Sequence, residues 1–311
     1  MPSPTYPPPG WPAGPAGHPG PAGGWPNVGP PPGPGGSGPG RPPGGPPSEG
    51  PFLDDPAAPP SNRRVAGLWL LFAFVGYLVG QLCGTVFATA AAAADGKLHG
   101  LSSITRLSSP PAWYIGSSLV GLWVGFFLAP FVASKARGSG RLLADFGIRF
   151  RPLDLVGILV GVGGQYVIAV LYLPFHVKNL TGPAQKLTGG AHGAGFAVIA
   201  LLTVVGAPFF EELFFRGVLL RALARLFTPA SSARSAARAA GVVLAVVVDG
   251  LVFASAHGEA TQFAGLALFG MALAAISYRT GRLGMNMVAH ASFNLVAVLS
   301  LLSSRGGVIL H

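Results

Sequence analysis

The chain has 311 residues, of which only 10% are charged and 50% are hydrophobic, with a formal net charge of +10. Soluble domains are about a quarter charged, so with a mean hydropathy of +0.54 a water-soluble globular protein is excluded. The positive excess does not point to nucleic acid, because clusters of basic and aromatic residues that stack bases are missing; in a membrane protein it marks cytoplasmic loops.

Residues 1–60 hold 23 of the 31 prolines and 15 of the 47 glycines and carry a formal −2, which leaves +12 for 61–311. With almost no aliphatic side chains this region cannot bury enough apolar surface to offset the entropy of ordering, so it is expected to be disordered with local polyproline II character. The charged start and short apolar run of a secretory signal are missing. A cytoplasmic tether is the plain reading. Its Pro-x-x-Pro segments would also suit a partner with an SH3- or WW-like groove.

From Arg63 onward, apolar runs alternate with short charged loops. Seven spans are predicted, at about 65–94, 112–133, 154–175, 196–220, 240–257, 262–278 and 283–303, each near the roughly 20 residues that cross a bilayer core. Backbone groups must be paired within each segment there, so the spans are helices. The fold class is an all-α polytopic membrane protein with about seven (six to eight) transmembrane helices and a disordered Pro/Gly-rich N-terminal tail. Its regions are a tail at 1–62, scaffold helices at 63–195 and a core at 196–303 that carries the candidate residues taken up below. The single cysteine, Cys83, lies in an apolar run; it excludes an intramolecular disulfide and reads as a small core side chain.

Lys and Arg set the orientation. One set of loops holds Arg63, Arg64, Lys135, Arg137, Arg141, Arg149, Arg151, Arg221, Arg225, Arg234, Arg238, Arg279 and Arg282. The opposite set holds Lys97, Arg106, Lys178, Lys186 and Arg305. The bias places the N-terminus in the cytoplasm, in a multi-pass protein of the plasma membrane. Residues 144–152 would lie at the cytoplasmic interface.

Ionisable side chains at membrane depth are costly and are functional candidates by default. Here they gather in the last four spans: Glu211, Glu212 and Arg216; then Asp249 and His257; then His290 with Asn294. Glu212 and Arg216 are four apart and can pair, which eases the burial of both. Glu211 is turned about 100° away and lacks a charge partner on its own helix, which suits a general base. His290 and Asn294 share a face, as do Phe253 and His257. Asp249, eight residues before His257, would either orient that ring or serve packing, and the packing reading is preferred.

These types suit water-mediated attack on a carbonyl, with a carboxylate taking a proton and a His/Asn pair facing the oxyanion. The same set would alternatively hold a zinc ion through Glu211, His257 and His290 with an open position for water. Spacing does not decide between the two. The His-Glu-x-x-His zinc-protease signature is absent.

Glu211-Glu212-x-x-x-Arg216, Phe253-x-x-x-His257 and His290-x-x-x-Asn294, in this order on three apolar helices, resemble the CPBP intramembrane proteases. That family includes the type II CAAX prenyl endopeptidases, bacteriocin-processing enzymes and proteins once labelled abortive-infection. The resemblance covers roughly 195–300, with a similar Asp-Phe-Gly-Ile-Arg stretch at 145–149. It implies an intramembrane endopeptidase acting on a membrane-associated peptide or protein: Glu211 activates water with help from His257, His290 and Asn294 stabilise the oxyanion, and Glu212 with Arg216 brace the site. Family members have been described both with and without a metal, and the metal-free reading is preferred because Glu212–Arg216 looks structural. The alternatives are a catalytically silent scaffold or regulator, which would have lost one of these residues, and a proton-coupled transporter, which would show repeated halves. Depth sets a further expectation. Glu211 falls near mid-span, His257 late and His290 early, so for the three to meet, the fifth helix must start near Arg238, tilt or break.

Overall fold

Glycine decides how the first two spans meet. Gly76, Gly80 and Gly84 recur every fourth residue on α1 (Arg63–Ala94), and Gly121 and Gly125 do so on α2 (Ala112–Arg137). In the computed structural model a Cβ on Gly80 would stand 2.6 Å from the Leu122 carbonyl oxygen, and one on Gly84 2.9 Å from that of Ser118. The two backbones touch, as small residues at four-residue spacing allow in a membrane. The opposite face of α1 presents exposed Leu71, Phe74, Leu78 and Leu82, the surface expected against lipid. Residues 63–96, 111–175, 191–228 and 235–305 are described, the side chains of 304 and 305 excepted. The Pro/Gly-rich tail and its expected disorder lie outside them.

After α2 come the short α3 (Leu142–Asp145), a 3-10 turn (Pro152–Leu155) and α4 (Val156–Tyr172). Buried Asp154 ties the start of this span to a distant turn: its Oδ2 accepts from the Arg151 N–H at 2.8 Å and from Arg282 Nη1 at 3.1 Å. Nearby, the Leu283 N–H donates to the Gly147 carbonyl at 3.1 Å.

The fourth span, α5 (Gly193–Phe227), runs for 35 residues and is not uniform. Ordinary helix at Gly193–Leu201, Ala207–Glu212 and Leu220–Phe227 alternates with wide π turns at Leu202–Gly206 and Leu213–Leu219. Pro208 explains the first of these. A proline inside a helix has no N–H, and its ring crowds the carbonyl four residues back; a π turn just before it relieves the crowding. Gly206 is needed there because any Cβ would collide with the Trp123 indole, which itself stacks on Phe210 at 4.9 Å.

α6 (Ser235–Ala256), α7 (Phe263–Thr280) and α8 (Gly284–Arg305) complete the bundle. Gly281 ends α7 at φ 67° in the left-handed region, its N–H on the Ser277 carbonyl, as a helix-terminating glycine does. Two more close seams are built on glycine: Gly157 and Gly161 of α4 against α8, and Gly250 of α6 against Ala267 and Met271 of α7.

Among the described residues seven helices are long and apolar enough to cross a membrane, matching the predicted spans in number and order. The chain is a multi-pass, all-helical membrane protein. Boundaries differ around the fourth and fifth spans. α5 continues to Phe227 instead of ending at 220, and α6 begins at Ser235 instead of 240, so the fifth helix does start before Arg238. Arg221 and Arg225, counted above as loop charges, belong to the last turns of α5. Arg221 lies 5.3 Å over the buried Phe146 ring and donates Nη1 to the Asp145 carbonyl; Arg225 lies 4.6 Å over Trp69. Stacking on rings is what lets a planar guanidinium stay in a packed helix.

Candidate active site

Neighbouring glutamates on a helix diverge, and here they enter different surroundings. Glu212 is fully buried and fully engaged. Its Oε1 accepts from Arg216 Nη1 and from His290 Nδ1, both at 2.9 Å, and its Oε2 accepts from Asn286 Nδ2 at 3.2 Å. Arg216, also buried, donates Nη2 to the Gly270 carbonyl at 3.0 Å and holds Nε 3.4 Å from Asp249 Oδ2. Its guanidinium lies 4.4 Å over the Phe253 ring. Burial of these charges is tolerable because each is paired and the cation is hydrogen-bonded on more than one edge. One cluster thus joins α5, α6, α7 and α8.

Glu211 contrasts with this. Its Oε2 is buried and lacks a hydrogen-bond partner. It lies 3.8 Å from His257 Nε2 and 3.9 Å from His290 Nε2. The far nitrogen of each ring fixes the tautomer. His257 Nδ1 is 2.8 Å from the Phe253 carbonyl, which can only accept, so Nδ1 carries the proton. His290 Nδ1 donates to Glu212 in the same way. In the neutral form of each ring Nε2 is therefore a lone pair, and both Nε2 atoms face the Glu211 Oε2. A water molecule, with two protons to give, suits such a point.

Glutamate with two histidines is also a zinc-binding set. Ligands about 2.1 Å from one tetrahedral ion stand roughly 3.4 Å apart, closer than the 3.8 and 3.9 Å found here. Among the described residues no three His, Cys, Asp or Glu side chains are grouped to hold a metal ion. The residue types are those of a zinc site, and as placed Glu211 stands wider from both rings than ligands of one ion do.

The six residues singled out in the sequence fall as follows. Glu212, Arg216 and His290 share one buried network, and Glu211 and His257 lie beside it, His257 with 31% of its side chain exposed. Asn294 is one turn beyond His290 on α8, but its Nδ2 donates to the Thr203 carbonyl of α5 at 2.8 Å. Two participants were missed. Asp249, read as packing, faces Arg216 and not His257. Asn286, not singled out at all, is buried and bridges Glu212 to the Leu273 carbonyl at 2.7 Å. A signal for it existed: Asn286, His290 and Asn294 repeat at four-residue spacing on one helix face.

Residues 193–296, from the start of α5 to the middle of α8, match the family described as Type II CAAX prenyl endopeptidase Rce1-like. The match supports assigning this segment to the CPBP family, in agreement with the motif order read above. No curated protein and no solved structure matches the chain.

Proposed function

We propose that this protein is an intramembrane endopeptidase in which Glu211 activates water against a peptide bond of a membrane-associated substrate. The observation that carries this reading is the unpartnered Oε2 of Glu211 facing the Nε2 atoms of His257 and His290 at 3.8 and 3.9 Å. Water placed there gives its proton to the carboxylate as its oxygen attacks the scissile carbonyl. A ring that shares that proton becomes a donor at Nε2 and can face the oxyanion. At His290 the Glu212 carboxylate on Nδ1 stabilises the resulting imidazolium, as an acidic partner orients a catalytic histidine elsewhere. The proton then passes to the leaving amine. No step calls on a metal, and the N-terminal side of the bundle faces the cytoplasm of a plasma membrane.

The test is cleavage of a membrane-peptide library by purified protein in detergent, wild type beside Glu211→Gln, with and without chelator. Loss of general-base catalysis is expected to cost on the order of 10²–10⁴ in rate, while chelator leaves wild-type activity unchanged. Activity abolished by chelator and restored by zinc would replace the water reading with a metal held by Glu211, His257 and His290. Folded wild type that cuts nothing would favour a silent scaffold. Prenylated and unprenylated versions of any cleaved peptide would show whether the lipid is recognised.

A further inference from the structure

The break in α5 leaves the Thr203 carbonyl without a helical donor, and Asn294 supplies one. In the π turn the Ala207 N–H donates to the Leu202 carbonyl, five residues back. In that register the next residue should donate to Thr203, but it is Pro208 and has no N–H. The Thr203 oxygen is thus bypassed by residue 207 and cannot be served by 208. A helix carbonyl left so inside a membrane costs free energy unless another group reaches it. The group that reaches it is Asn294 Nδ2, at 2.8 Å. This bond joins α8, four residues past His290, to the turn that leads directly into Glu211. We infer that Asn294 is a positioning residue: its amide stands in for the N–H that Pro208 lacks, and so fixes the rotation at which α5 presents Glu211 to His257 and His290. The inference rests on the peptidase reading for its consequence in activity, though not for the bond itself.

It differs in a measurable way from a role in which Asn294 touches the substrate oxyanion. Replacing Pro208 by alanine restores a backbone N–H in register with Thr203, and Asn294 then becomes dispensable. The experiment compares wild type, Asn294→Ala, Pro208→Ala and the double variant as full-length protein in detergent. Amide hydrogen exchange over 199–215 is read beside kcat/KM on a peptide that wild type cleaves. Asn294→Ala is expected to speed exchange in 207–213 and lower kcat/KM by about 10–100-fold. The double variant is expected to recover to within about threefold of Pro208→Ala. Asn294→Leu, which keeps much of the shape and cannot donate, should exchange like Asn294→Ala, so a poorly folded Pro208→Ala leaves the inference testable. A double variant as impaired as Asn294→Ala, with exchange unchanged in either single variant, would assign the amide to the substrate and overturn the inference. If wild type cuts nothing, the peptidase reading fails, while the exchange comparison still decides the role of Asn294.

Discussion

At the scale of the residue, the site separates charges that hold the structure from the one proposed to do chemistry. Arg216 stands between Glu212 and Asp249 in the buried cluster, and removing one partner of a buried pair costs about 3–5 kcal/mol. Arg216→Ala is therefore expected to destabilise the folded protein by that order, read as a lower unfolding midpoint in detergent, before any effect on activity can be measured. Arg216→Lys should fare little better, because one ammonium cannot meet Glu212, Gly270 and Asp249 along three edges. Glu211→Gln should fold normally and lose activity, since its Oε2 makes no hydrogen bond that folding depends on. Thermal midpoints beside peptidase rates would show the two glutamates parting company. Spacing alone made the Glu212–Arg216 pair legible, since four residues on a helix bring side chains together. The partners of Arg216 on α6 and α7 were not legible, because which buried groups meet across helices depends on helix rotation and depth, and a linear pattern carries neither.

At the scale of the element, glycine-lined seams and wide turns set where each helix lies. Gly80→Ala would drive a methyl to 2.6 Å from the Leu122 carbonyl, and backbone cannot yield as a side chain does. Overpacking of this kind costs roughly 1–3 kcal/mol, so the variant should unfold at lower temperature, while Gly67→Ala, with nothing within 4 Å, should not. The α2–α3 turn gives a pH prediction. Partial burial pushes the Asp145 carboxyl up, but hydrogen bonds from Ser134, Ser139 and the Gly140 backbone outweigh it and hold the group below its ordinary value. A depressed native value means stability is present above the unfolded pKa of about 3.9 and is lost as pH falls through the native one. Unfolding midpoints measured from pH 6 to 3 should fall in wild type, and Asp145→Asn should flatten the decline below pH 4. Span existence was readable because twenty apolar residues permit one solution in a bilayer. The ends of α5 and α6 were not, because Arg221 and Arg225 read as loop charges until the rings of Phe146 and Trp69 are seen beneath them.

At the scale of the whole molecule, the matched segment and the helices before it form one mechanical unit. Phe146 packs under Arg221, Trp69 under Arg225, and Asp154 holds Arg282. A fragment cut at 193–296 would lose all three supports and is expected to aggregate in detergent where the full chain elutes as a single species on gel filtration. Topology is testable in the same intact protein. With Cys83 replaced by serine, Ser139→Cys should react with an impermeant maleimide only from the cytoplasmic side, and Thr261→Cys only from the opposite side. Equal labelling of both would reject the orientation read from Lys and Arg.

The glycine seams also bear on traffic. Where α1 meets α2, α4 meets α8 and α6 meets α7, main chain lies so near main chain that even a methyl group lacks room, and no peptide could slip sideways between those partners. A substrate arriving from the bilayer must use another door, and the most open side chain of the site, His257, stands at the end of α6. A photoreactive peptide bound to the protein should accordingly label the stretch around His257 and Glu259 and spare Ser118 and Leu122 at the α1–α2 seam. The features that lock the helices together would then also choose the direction from which a scissile bond can come.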